Sequence, residues 1–255
     1  MMCKKVLAGL TIFNLLATAG LAYVVLKPTV TETGSSTASM SDEQIKNYIS
    51  ANPKQIIDSV NAYMAGEQGR SDEQTLASVT ANHDFLYAKD AHPALGNLDG
   101  DVTIVEFLDY NCGYCKKAQP VLMDLVAKDK NVRLVLIEIP ILAESSATAA
   151  QWALAANQLG GYGIFHEKLM THKGPINEEV LTGFAKDANL DPAKVKELAN
   201  SQDITGQVAK NLAKAQEIGI NGTPGFIIGD DIIRGYVDLP ALQASVDKAR
   251  KAAGK

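Results

Sequence analysis

The chain has 255 residues, 46% hydrophobic and 21% charged, an ordinary globular balance far from the profile of a disordered protein. Its 24 basic and 29 acidic side chains leave a net charge of −5, which argues against a broad nucleic-acid-binding surface, because such a surface needs clustered Lys and Arg. Three cysteines, Cys3, Cys112 and Cys115, cannot staple a disulfide-rich scaffold, so stability must come from an apolar core.

Lys4 and Lys5 precede an apolar run from Val6 to Leu26, which Lys27 and Pro28 end. With Ala17-Thr18-Ala19 before Gly20, residues 1–19 read as a cleaved export signal. The 21-residue run is also long enough to cross a bilayer, so residues 1–27 as an uncleaved anchor is the second reading. Either one exports the rest of the chain. Cys3 precedes the apolar run and is given no chemical role. Cleavage would remove two lysines and no acids, taking the charge from −5 to −7. Residues 28–40 are small and polar and read as a flexible linker.

Ser41-Asp42-Glu43-Gln44 is a capping box that starts a helix. Ile45, Ile49, Ile56, Ile57, Val60 and Met64 continue an apolar stripe, with Pro53 dividing it into two short helices. Ser71-Asp72-Glu73-Gln74 repeats the capping pattern and predicts a further short helix. Residues 41–83 have too little apolar mass to fold alone. They pair with a second copy as a dimerisation segment, or fold back on the main domain.

Phe85-Leu86-Tyr87 predicts a short strand, and Gly96 to Asp101 has turn chemistry. Val102–Leu108 (VTIVEFL) and Val132–Ile139 (VRLVLIEI) read as buried strands, with a helix through Lys128 between them. Residues 144–219 have helical composition, broken by turn signals at Gly160-Gly161, Gly174-Pro175 and Asp191-Pro192. Gly229-Asp230-Asp231 between two apolar runs signals a hairpin, and Leu239 to Lys251 a closing helix. The predicted class is α/β with a block of helices inserted.

Cys112-Gly113-Tyr114-Cys115 lies between a buried strand and a helix. At a helix N-terminus the macrodipole and free N–H groups stabilise a thiolate, so Cys112 is the expected nucleophile and Cys115 the resolving thiol. Gly113 lets a substrate backbone approach, and Tyr114 tunes the thiolate surroundings. A structural bridge would close a tiny loop of little entropic value. Half of a zinc site would need two more ligands, and His83, His92, His166 and His172 show no close ligand pairing. His166 and His172 read as surface or packing residues. Glu106, six residues before Cys112, is an acid in an apolar strand: a proton shuttle for Cys115 if buried, a solvated edge residue if not. Thr223-Pro224 opens a strand, where a cis peptide bond is one option.

VEFLDYNCGYCKKAQP together with GINGTPGFIIGD resembles the bacterial Dsb family of thioredoxin-fold proteins, from about residue 84 to the C-terminus. The resemblance implies a thioredoxin-like domain over 84–255 with a helical insertion at about 144–219. It also implies attack by Cys112, resolution by Cys115, Glu106 as the family's buried acid, and Pro224 as its cis-proline with Thr223 before it. The layout looks like the DsbA-like oxidase branch. Gly113-Tyr114 and Thr223 lean toward DsbC-like isomerases, and the N-terminal helices resemble the oligomerising segments of DsbC-like and ScsC-like proteins. The implied protein is a periplasmic, homodimeric thiol:disulfide oxidoreductase without cofactor. It would act on exported cysteine-containing proteins with a membrane redox partner, and a chaperone-like client-binding module is the alternative.

Overall fold

The computed structural model describes residues 41–254, and the chain divides into two units, residues 1–53 and 54–255. The expected signal or anchor and the linker lie outside the described residues. In the first unit, helix α1 (Asp42–Ala51) starts as the sequence predicts. Ser41 Oγ accepts from the Gln44 N–H at 3.3 Å, and Gln44 Oε1 accepts from the Ser41 N–H at 2.9 Å. All of α1 is exposed, including Ile45, Tyr48 and Ile49.

Pro53 opens α2 (Pro53–Ala81), where its missing N–H costs nothing. The expected new helix at Ser71 is not there: α2 runs straight through. A capping serine acts only where the preceding backbone is non-helical, and here it is helical. Ser71 instead accepts Thr75 Oγ1 on its carbonyl, at 2.8 Å, and Arg234 Nη2 on its hydroxyl. Arg234 also pairs with Asp72, and Val79 is buried, so the end of α2 packs on the main fold. Ile57, Val60, Tyr63 and Met64 nearer its start are exposed.

Residues 85–87 are not a strand but part of a helical turn, α3 (His83–Tyr87). Three apolar residues fit either periodicity, and the helix wins because it drives Leu86 wholly into the core. His92 Nε2 then donates to the Phe85 carbonyl at 2.8 Å. The edge strand is β1 (Ala94–Gly96), which overlaps the expected turn.

The remaining elements follow the predicted order: β2 (Val102–Leu108), α4 (Gly113–Lys128), β3 (Val132–Glu138), then the inserted helices α5 (Glu144–Gln158), α6 (Tyr162–Thr171), α7 (Glu178–Asp187), α8 (Pro192–Ala199) and α9 (Gln202–Ile218). The chain returns through the hairpin β4 (Gly225–Ile228) and β5 (Asp231–Arg234) and ends in α10 (Leu239–Ala252). The hairpin loop has two residues, with Ile228 opposite Asp231, and Gly229 takes a left-handed φ of 56°. The sheet order is β1-β3-β2-β4-β5, with β2 and β3 parallel and every other pair antiparallel.

Alternation along the central strands sorts the core into two faces. Ile104, Leu108, Leu134 and Leu136 meet α4, α10 and the insertion. Val105, Phe107, Val135 and Ile137 meet α9 and the α2–α3 region. Arg250 in α10 forks onto both Asp101 and Asp129, which ties the last helix to the ends of β2 and α4.

Candidate active site

The register fixes which face carries the chemistry. Glu106 has the parity of Ile104 and Leu108, so it points toward α4, whose first turn holds the cysteines. Cys112 is the N-cap of α4 and only 6% exposed. Its N–H donates to the Asp109 carbonyl at 2.9 Å, and its thiol donates to the Thr223 carbonyl at 3.2 Å. Cys115, one turn in, is fully buried, and both cysteines are free thiols. Burial, and then the charge of Glu106, push the Cys115 thiol far above its ordinary value.

Glu106 is completely buried, which rules out the solvated edge. Neither carboxyl oxygen has a hydrogen-bond partner. Burial raises its pKa to about 8, helped by Cys112 and then by Glu138. A Cβ at Gly113 would meet nothing within 4 Å, and Tyr114 is exposed, so the approach to Cys112 is open. The Thr223–Pro224 peptide bond is cis and delivers the Thr223 carbonyl to Cys112. Cys112, Cys115, Glu106, Gly113, Thr223 and Pro224 are thus gathered from two distant stretches of chain.

Several neighbours escaped the sequence reading. Asp109, 2% exposed, accepts from the Asn111 N–H, the Ser146 hydroxyl and the Ile141 and Leu142 N–H groups. Glu138 is an acid in an apolar strand by the same criterion that singled out Glu106. It is fully buried, with a pKa raised by burial to about 7 against an opposing hydrogen bond from Tyr162. His166 is wholly buried, so it is a packing residue and not a surface one. Its Nδ1 meets Tyr110 Oη at 3.0 Å and its Nε2 meets Gln119 Oε1 at 3.1 Å, while burial lowers its pKa to about 3. His172 is half-buried, with Nε2 near the Pro175 carbonyl, and its own carbonyl accepts from Lys116 Nζ at 2.7 Å. An apolar groove of about 780 Å³ runs beside the site between α4, α6 and β1, with Leu95, Pro120, Met123, Val126 and Met170 in its lining.

A family model described as the DSBA-like thioredoxin domain matches residues 103–247. Among solved structures, a thioredoxin-like oxidoreductase from Silicibacter pomeroyi DSS-3 is 44% identical, covering 67% of this chain and 98% of its own, with a TM-score of 0.64. A linker-deletion variant of Proteus mirabilis ScsC is 26% identical, covering 85% of this chain and 100% of its own, with a TM-score of 0.68. Disulfide bond formation protein D of Bacillus subtilis is 26% identical over 174 residues, 62% of this chain and 77% of that protein. A similar stretch occurs in a Na(+)/H(+) antiporter of Salinispora arenicola, 28% identical over 156 residues. The match takes in 60% of this chain and spans about a quarter of the antiporter's length, 24%.

Proposed function

Because this chain belongs to the DSBA-like thioredoxin family, we propose that it is a thiol:disulfide oxidoreductase that forms or rearranges disulfides in exported proteins. One observation carries the reading: a cysteine at a helix N-cap beside a cis-proline loop, with its buried partner set over an unpaired buried carboxyl group. The Cys112 thiolate attacks a client disulfide, joining Cys112 to one client sulfur and expelling the other as thiolate. Cys115 gives its proton to the Glu106 carboxylate and attacks the Cys112 sulfur. The closed pair forms and the client leaves reduced. Run backward, the same steps oxidise a client dithiol, and a thiolate expelled in the first step can attack elsewhere in the client and isomerise it.

We place this activity in the periplasm. A membrane redox partner reoxidises or reduces the pair, and two copies join through residues 41–83. The exposed Ile57, Val60, Tyr63 and Met64 on α2 support such pairing. Among the described residues no helix is long and apolar enough to cross a membrane. The test is covalent capture in the native compartment. Cys115→Ala should accumulate mixed disulfides with client proteins and Cys112→Ala none; equal trapping by both would overturn the reading. The resting redox state of the pair then separates a disulfide donor, mostly oxidised, from an isomerase, mostly reduced.

The apolar groove favours a second reading, client binding in a chaperone-like role. Suppression of client aggregation by the Cys112→Ala, Cys115→Ala double variant at wild-type efficiency would support it.

A further inference from the structure

A second buried acid lies behind the cysteine pair, and the exchange steps above do not use it. Glu138 pairs across β2 and β3 with Leu108, and Glu106 pairs with Leu136, so the two glutamates sit diagonally on the same face of neighbouring parallel strands. Their surroundings differ. Glu106 has no donor on either oxygen. Glu138 Oε1 accepts from Tyr162 Oη at 2.7 Å and lies 3.4 Å from Tyr110 Oη, while its Oε2 has no partner. The distances order the tyrosine protons. With Gln119 Oε1 accepting from Nε2–H, the neutral His166 ring accepts on Nδ1 from the nearer Tyr110 Oη (3.0 Å, against 3.3 Å for Tyr162), and Tyr162 Oη donates to Glu138 at 2.7 Å.

We propose that Glu138 is a positioning residue for proton transfer at the cysteine pair: held as a carboxylate by Tyr162, it supplies the negative charge against which Glu106 keeps its proton. This inference rests on the reading of Glu106 as the acceptor of the Cys115 proton. Burial penalises both acids, but donors stabilise only one, so Glu138 ionises first and its charge opposes ionisation of Glu106. The titratable and charged groups around Glu138 fit this order. Glu106 faces it from β2, Tyr110 from the loop before α4 and Tyr162 from α6, with His166 behind the two tyrosines and Cys112 and Cys115 beside Glu106. Asp109 is occupied by its four donors, and Lys116 is turned to the His172 carbonyl. Among the described residues no Lys or Arg side chain makes a hydrogen bond or ion pair with the Glu138 carboxyl group.

The test follows closure of the Cys112–Cys115 disulfide in the full chain. Reduced protein is mixed with glutathione disulfide, quenched with acid and analysed by mass spectrometry, which separates the glutathione mixed disulfide from the closed pair. The closing rate is recorded from about pH 5 to about pH 10. Glu138→Gln should move the midpoint of the rising limb down by about one pH unit while leaving the plateau within about threefold. Tyr162→Phe removes the donor and should move it the same way by less, and it decides alone if Glu138→Gln does not fold. Folded variants whose limbs superimpose on that of the wild type would overturn the proposal. Glu106→Gln separates the two readings. If it leaves the wild-type limb in place, Glu106 is not the acceptor and both readings fall. If it abolishes the limb while Glu138→Gln does not shift it, only the role of Glu138 falls.

Discussion

The two faces of the central sheet are built from the same two strands, yet they hold different kinds of core. The face away from α4 packs Val105, Phe107, Val135 and Ile137 under α9, and the buried charge there, Arg133, donates to the Tyr87 and Ala88 carbonyls. The face toward α4 interrupts its apolar rows with Glu106 and Glu138 and adds Tyr110, Tyr162 and His166 around them. Burying two unneutralised acids costs stability that the apolar packing of both faces must offset. The difference teaches that the fold confines its buried acids to one side of the layer while both sides contribute apolar packing.

Substitutions on each side should therefore fail differently. The largest effect is expected at Cys112: Cys112→Ala should abolish exchange, beyond about a thousandfold, with the melting temperature nearly unchanged. On the other face, Phe107→Ala removes a fully buried ring and should cost about 3–5 kcal/mol in urea unfolding. Its exchange rate per folded molecule should stay within about twofold; a large loss of rate would dissolve the division of labour. Next comes the pH dependence of stability. The folded pKa values of Glu106 and Glu138, about 8 and about 7, lie above the ordinary 4.5. The unfolded chain therefore releases protons that the folded chain keeps, and stability falls as pH rises from about 4.5 through these values. Glu106→Gln should remove its share, so its stability relative to wild type should rise across that window by several kcal/mol at most, since each unit is worth about 1.4. A flat difference would mean that Glu106 titrates normally.

The smallest effects concern two histidines, one on each side. His92, near Phe85, and His166 are both held neutral by burial, with pKa values lowered to about 4 and about 3. A lowered histidine costs stability as pH falls, because the unfolded chain takes up protons first, below about 6.5. His92→Gln and His166→Gln should each flatten part of the acid slope in melting temperature. If only one does, acid sensitivity belongs to a single face.

Much of this layout is legible in the chain itself. VTIVEFL and VRLVLIEI are β-branched runs too apolar for anything but buried strands, and a dithiol directly after one of them has few structural uses. The failures have physical causes. Residues 85–87 are too few to display a period. Ser71 has a capping sequence inside a helix that never breaks. Glu138 carried the same signal as Glu106 but sits 23 residues after the second cysteine, and only the parallel register makes them neighbours. Tyr162 and His166 arrive on an inserted helix, and no local pattern of residues announces what an insertion will press against the sheet.

Asp109 has a mechanical consequence. Its carboxylate binds the Asn111 amide in the cysteine loop together with the Ile141 and Leu142 amides and the Ser146 hydroxyl at the mouth of the insertion. One side chain thus rivets the reactive turn to the base of the helical block. The base of the helical block and the loop that carries Cys112 are thereby mechanically coupled through a single carboxylate.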